Sequence, residues 1–302
     1  CYNAGGENPT ITDANIILGY INPNHLVGGA VKLNKEKAAK VFKEKIADPL
    51  RLSLEEAAHG AHLISASNMI RAIKAVSTER GRNPRNYSLF AFGGNGPLFA
   101  AGMAGSIGIK QVIVPPSPGL FSSFGLLYAD VEHHYSRTFR RLLTDADPQE
   151  LTAAWEVLAK EAIDELNKEG FSGSSAVIER SASLHYKGQI YELSVPAPSG
   201  NFDSKKLAEL SETFGQEHEI VYGHRAGPEE PVELVNIAVI GRGIPDSSRV
   251  PEKLHADEAS RPVDSFREAY FGKGHGWIET PILARADLQK KYNGPALSLI
   301  HI

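Results

Sequence analysis

The sequence predicts an α/β chain, on three observations. Ser88 to Phe92 is a short apolar run between turn residues, followed by Gly93, Gly94, Gly96 and Pro97 and then a helical stretch. A second apolar run, Gln111-Val112-Ile113-Val114, follows that helix, so the two runs read as strands of one βαβ unit with a right-handed crossover. Beyond Leu143, helical and strand patterns alternate again on a smaller scale, as in a compact α+β domain.

Each element has a local reason. Leu33 to Ile46 reads as a lysine-rich amphipathic helix with a solvated face. Ser53 and Glu56 have the spacing of a capping box, which opens a long helix with apolar residues at Leu54, Ala57, Ala58, Ala61, Ile64, Ala66, Ile70, Ile73 and Val76. That helix is expected to end near Arg80, with Gly81 just past its last turn. Pro97 suits the first turn of the next helix, where its missing N–H costs nothing. Pro115-Pro116-Ser117-Pro118-Gly119 is a stiff turn. Pro148 to Lys168 is helical, with Leu151, Ala154, Leu158, Ala162 and Leu166 on one face. Ser181 to Tyr186 and Ile190 to Val195 read as two strands, and Ser204 to about His218 as a helix. Pro231 to Ile240 reads as a central strand. Val232, Leu234, Asn236, Ala238 and Ile240 form one face, and Glu233, Val235, Ile237 and Val239 the other. Gly243 to Asp264 reads as a linker, and Phe266 to Leu288 as the start of a β-rich piece. The expected domains are therefore 1–143, 144–245 and 246–302.

Composition narrows the function classes. The chain has 302 residues, 42% hydrophobic and 23% charged, with a net charge of −4. That balance is ordinary for a globular chain and argues against nucleic acid as the main partner. The sequence has no 18-residue apolar stretch, so no membrane span is expected. The single cysteine excludes an internal disulfide and fits a reducing, cytoplasmic setting.

The chemistry-bearing residues are few. A glycine loop feeding a helix N-terminus offers free N–H groups and a positive dipole end, which suits an anionic ligand, although a plain strand-to-helix turn has the same local pattern. Asp13 is either a helix N-cap, with Ala14 onward helical, or a contact to a metal-bound water or substrate. Asn68, Arg71 and Arg80 lie on or near the helix that leads to the glycine loop. They either reach a substrate or pair on a solvated face. His59 and His62, three apart on one helix face, read as surface or packing residues. Asp130 and His133 have the spacing of a metal pair but no evident third ligand, so a solvent-facing polar run competes with that reading. No base is identifiable that would make Cys1 a nucleophile.

Several segments carry a family resemblance: Cys1 to Gly19, with Thr12-Asp13-Ala14-Asn15 inside it; Asn68 to Ile73; Ser77-Thr78-Glu79-Arg80-Gly81; Phe92 to Pro97; Val114 to Gly119; and Gly125 to Asp130. Later echoes are Tyr186-Lys187-Gly188-Gln189, Glu217-His218-Glu219 with Tyr222-Gly223, and Pro231 to Asn236. In this order they resemble the hydantoinase A / 5-oxoprolinase family. The resemblance covers nearly the whole chain and is strongest up to about Phe139.

The resemblance implies the second half of an actin-like ATPase fold, then a small α+β domain and a truncated β-rich piece. It implies an ATP- and Mg²⁺-using subunit that opens a cyclic amide, 5-oxoproline or a hydantoin, by phosphoryl activation. The alternatives are the beta subunit of an acetone-type carboxylase, or a non-catalytic scaffold half. A hydantoinase B-type subunit is the implied partner, within an oligomer. Gly93, Gly94, Asn95, Gly96 and Pro97 are then assigned to the nucleotide, Asp13 to catalysis, and Asn68, Arg71 and Arg80 to the substrate. No metal ligand is assigned. Asn95 stands where many relatives carry a small residue, a departure from the family pattern. The family's Asp-x-Gly-Gly-Thr phosphate motifs do not occur in this sequence, so the chain reads as a C-terminal-half fragment. Its last residues, Ser298 to Ile302, resemble translated sequencing-adapter sequence and read as non-native.

Overall fold

The computed structural model of the chain describes every residue except 3, 25, 27–30, 228, 246–265, 285–292 and 300–302. Most of the expected linker and the final three residues lie outside the described residues. The fold is mixed α/β and divides into two compact units. One holds residues 1–76, 83–126 and 252–302, and the other residues 77–82 and 127–251.

In the first unit, helix α1 (Ile11–Ile17) starts at Thr10, not at Asp13. The Thr10 hydroxyl accepts the Asp13 N–H, while the Asp13 carboxylate accepts the Thr10 N–H at 2.7 Å. This reciprocal pair satisfies two N–H groups that the helix end leaves over, so Asp13 is the third residue of the helix and not its cap. Helix α2 (Lys35–Phe42) is capped by Asn34, whose side chain accepts the Lys37 N–H. The expected helix therefore begins two residues late. It widens into a π-helical stretch, Lys43–Ala47, and ends in the short α3 (Asp48–Leu50).

Helix α4 (Leu54–Val76) opens with the capping box that the sequence predicts. The Glu56 N–H donates to Ser53 Oγ at 3.2 Å, and the Ser53 N–H to Glu56 Oε2 at 3.1 Å. Its small residues Ala57 and Ala58 let α1 come close, and they bury against Ala14, Ile17, Leu18, Phe42 and Tyr270. The apolar stripe does not continue as a core face. Ile64 and Val76 remain 65% and 62% exposed, because α1 and α2 cover only the first part of this long helix.

Strand β1 (Leu89–Phe90), helix α5 (Gly96–Ile107) and strand β2 (Val112–Ile113) form the predicted βαβ unit. The strands are parallel, with Leu89 opposite Val112. Both are shorter than expected, although the Leu89 and Ala91 N–H groups also bond the Gln111 and Ile113 carbonyls. Helix α6 (Phe121–Tyr128) follows.

The second unit contains strands β3 (Val131–Leu142), β4 (Ala176–Tyr186), β5 (Leu193–Pro196) and β6 (Val232–Gly243), with helices α7 (Pro148–Lys168) and α8 (Ser204–Tyr222). The sheet is antiparallel in the order β3-β6-β4-β5, so β6 is central, as its apolar sequence predicts. Leu151, Trp155, Leu158 and Ala162 of α7 pack with Leu210 and Phe214 of α8 on Ala182, Leu184, Leu234, Ile237 and Val239 of the sheet. The predicted faces of β6 hold only in part. Ser183 lies opposite Asn236, while Leu184 lies opposite Leu234, so Val235 is an extra residue in the strand. This bulge switches the alternation and turns both Leu234 and Ile237 into the same core.

The remaining strands, β7 (Phe266–Tyr270), β8 (Trp277–Ala284) and β9 (Leu297–Leu299), belong to the first unit and form a three-stranded sheet. The Tyr270 N–H donates to the Leu18 carbonyl at the end of α1, and the Tyr20 hydroxyl donates to the Tyr270 carbonyl at 2.6 Å.

Candidate functional site

The glycine loop lies where β1 ends and α5 begins. Gly93 has φ +83°, a left-handed conformation that a residue with a side chain takes up only with strain. Its N–H donates to the Pro118 carbonyl at 2.7 Å, so the proline-rich turn holds the loop in place. Asn95 is the N-cap residue of α5, yet its side chain makes no capping bond. Gly96 and Pro97 open the first turn; proline has no N–H and the Leu98 N–H donates to the Asn95 carbonyl at 3.1 Å, which leaves the Gly96 N–H without a carbonyl partner within the helix. A Cβ built on Gly93 or Gly96 would meet nothing within 4 Å. The loop therefore faces open space, and a flat or anionic group can approach its backbone. Gly94 and Asn95 are exposed, whereas Gly96 and Pro97 are half-buried. Phe90 and Phe92, 43% and 44% exposed, lie beside the loop with their ring centres 5.3 and 5.5 Å from that of Phe121.

Asp13 is 3% exposed. Its carboxylate accepts the Thr10 N–H at 2.7 Å and the Thr10 hydroxyl at 2.8 Å. Asn68 and Arg71 are brought together, the guanidinium donating to the Asn68 side-chain oxygen on an exposed face of α4. Arg80 lies in the other unit, exposed on the single 3-10 turn Thr78–Arg80. The Asp130 and His133 side chains each have other partners. His133 meets Glu169 at 2.8 Å, and Asp130 lies 3.8 Å from the Arg242 guanidinium. Among the described residues no group of three His, Cys, Asp or Glu side chains is placed to hold a metal ion.

The structure adds a joint that the sequence reading left as packing. Asn15 is fully buried, and its side-chain oxygen is 2.9 Å from His62 Nδ1. The oxygen is only an acceptor, so His62 carries its proton on Nδ1. The His62 ring stacks on Phe99 of α5, with centroids 4.2 Å apart and planes 13° from parallel. Phe99 is three residues past Gly96, so Asn15 and His62 tie α1 and α4 to the helix that presents the glycine loop. Asn15 in the Thr12–Asn15 motif and the His59/His62 pair on one helix face were the available sequence signals.

Burial pushes the His62 imidazole down to about 4, and His59 adds to the shift. The unfolded chain, with an ordinary imidazole near 6.5, takes up a proton that the folded chain refuses. The contribution is complete above about pH 6.5 and is lost as pH falls towards 4. After allowance for partial exposure, the loss is expected to be roughly 2 kcal/mol. Urea unfolding at neutral and mildly acidic pH measures it, and His62→Phe, which keeps the stacking ring, should flatten the slope.

Comparison with known proteins gives this geometry a context. The Hydantoinase/oxoprolinase family profile matches residues 1–135, and the Hydantoinase/oxoprolinase C-terminal domain profile matches residues 143–296. The caprolactamase subunit alpha of Pseudomonas jessenii is 33% identical over 288 residues, 93% of this chain and 41% of that protein. The acetone carboxylase beta subunit of Xanthobacter autotrophicus is 28% identical over 310 residues, 98% of this chain and 43% of that protein. The crystal structure of the ATP-dependent caprolactamase from Pseudomonas jessenii superposes with a TM-score of 0.81 at 31% identity, covering 99% of this chain and 44% of that one. This chain thus spans less than half the length of the relatives it matches. On two profile matches that together run through most of its length, the chain belongs to the hydantoinase/oxoprolinase family.

Proposed function

We propose that this chain is the nucleotide-side part of an ATP-dependent subunit that opens a cyclic amide, with 5-oxoproline or a hydantoin as substrate. The observation that carries the reading is the open glycine loop from Gly93 to Pro97 at the head of α5. Gly93 and Gly96 leave room that a Cβ would fill, and the Gly96 N–H and the positive end of the α5 dipole lie at that opening. When bound, ATP with Mg²⁺ supplies a phosphoryl group to the amide oxygen, which makes the ring carbon electrophilic towards water. The residues of this chain bind and orient. Gly93, Gly94, Asn95, Gly96 and Pro97 receive the nucleotide, and the Pro118 carbonyl holds the loop. Phe99, Asn15 and His62 fix α5 behind it.

Asp13, which also closes the start of α1 through Thr10, is the proposed catalytic residue. Asn68, Arg71 and Arg80 are proposed substrate contacts. In this reading the chain forms part of the second half of an actin-like ATPase fold and works in the cytoplasm with a hydantoinase B-type partner in an oligomer. A second reading, a carboxylase beta subunit, draws on the likeness to the Xanthobacter autotrophicus subunit. The full-length protein, co-expressed with its partner subunit, is to be assayed for phosphate release from Mg-ATP with 5-oxoproline, hydantoin or acetone. Stimulation by a cyclic amide is expected. Stimulation by acetone alone would replace the first reading with the second.

A further inference from the structure

A cleft of 340 Å³ opens in the second unit between the β4–β5 loop and the end of α8, lined by Gln189, Ile190, Tyr191, His218, Tyr222 and His224. It is independent of the glycine loop and of the nucleotide reading. Its size is at the small end of the range for small-molecule sites.

The floor is polar and built. His218 is 1% exposed, and its Nδ1 lies 2.8 Å from the His224 carbonyl oxygen. A carbonyl only accepts, so the proton is on Nδ1 and Nε2 keeps its lone pair. Gln189 is the side chain at that lone pair, with its Nε2 at a long 3.3 Å. The ring itself is held by Tyr186, Tyr222 and His224, whose ring centres lie 4.8, 4.7 and 4.9 Å away.

The walls are apolar and their backbone is pinned. The Lys187 N–H donates to the Pro231 carbonyl and the Gln189 N–H to the Tyr186 carbonyl. His185 Nδ1 lies 2.6 Å from the Gln189 carbonyl, and its Nε2 lies 2.7 Å from Glu233. Beyond these anchors Ile190 and Tyr191 project into solvent, 87% and 77% exposed, and Tyr222 is 45% exposed. Large apolar side chains exposed at the mouth of a cleft with a buried acceptor at its base suit a ligand with the same division. The body should be an apolar ring and the edge should carry a donor.

We propose that this cleft binds a small neutral ring compound bearing one O–H or N–H donor. The donor bonds His218 Nε2 in place of Gln189, and the ring packs on Ile190, Tyr191 and Tyr222.

Phenol is the probe, and anisole, the same ring with its donor removed, is the control. Binding to the full-length protein is followed by NMR of the histidine ring nitrogens and by ligand saturation transfer. Phenol is expected to bind about five- to tenfold more tightly than anisole and to shift the His218 Nε2 resonance. His218→Phe should bind the two probes alike. Should that variant fail to fold, Ile190→Ser, on the exposed loop, should weaken both probes without a change in stability. Equal binding of phenol and anisole to the unaltered protein would overturn the proposal, as would an unmoved His218 resonance. Binding of neither probe, with the cleft covered by a partner protein instead, would overturn it too.

Discussion

Gly81→Ala should cost the second unit about 2–5 kcal/mol. Gly81 has φ +68°, and a Cβ there would lie 1.6 Å from the Ile220 carbonyl oxygen and 2.5 Å from the Ile220 carbonyl carbon. Both atoms belong to the backbone of α8, so no rotamer change relieves the clash, and the turn or the helix has to move. Left-handed strain adds about 1–2 kcal/mol, and displacement of packed backbone about 1–3 kcal/mol more. Gly223 supplies the control, with φ +76° and nothing within 4 Å of its Cβ position. Gly223→Ala should show the conformational cost alone. Urea unfolding of both variants separates strain from collision. Equal losses would mean that residues 77–82 do not lie against α8 as described.

Gly96→Val should reduce ATP-dependent turnover of the full-length protein by at least about 100-fold, an obstruction rather than a folding defect. The added side chain enters open space, so no core contact is lost. Pro97 disfavours a helical β-branched residue before it, so a stability loss of up to about 1 kcal/mol is expected and is measured alongside. What the substitution removes is the close approach of a nucleotide to the first turn of α5.

Features set by short-range bonds were legible in the sequence. Ser53 and Glu56 satisfy each other's N–H groups within one turn. α7 runs from Pro148 to Lys168 because Asp147 caps it and its apolar residues recur at helical spacing. The strand, glycine loop and helix order around Gly93 is likewise local. What depends on distant chain was not legible. The bulge at Val235 exists only against β4, so the faces of β6 cannot be read from β6 alone. Ile64 and Val76 have the right period for a core face, and only the extent of α1 and α2 decides that they stay exposed. Asp130 and His133 have metal spacing, yet Arg242 and Glu169, remote in sequence, are their partners. At Asp13 the reading was off by one helical turn, since Thr10 and Asp13 both suit a helix start and the reciprocal bond selects the threonine as the cap. The link from Asn15 through His62 to Phe99 joins three separate helices, and local pattern marks Asn15 and the His59/His62 pair singly without joining them.

The central claim is that the loop from Gly93 to Pro97 receives ATP. Calorimetric titration of the full-length protein with Mg-ATP, beside the folded Gly96→Val variant, tests it most directly. Saturable binding by the unaltered protein, lost in the variant, is the predicted result. Equal binding by both proteins, or none by either, would contradict the claim and leave the loop a strand-to-helix turn.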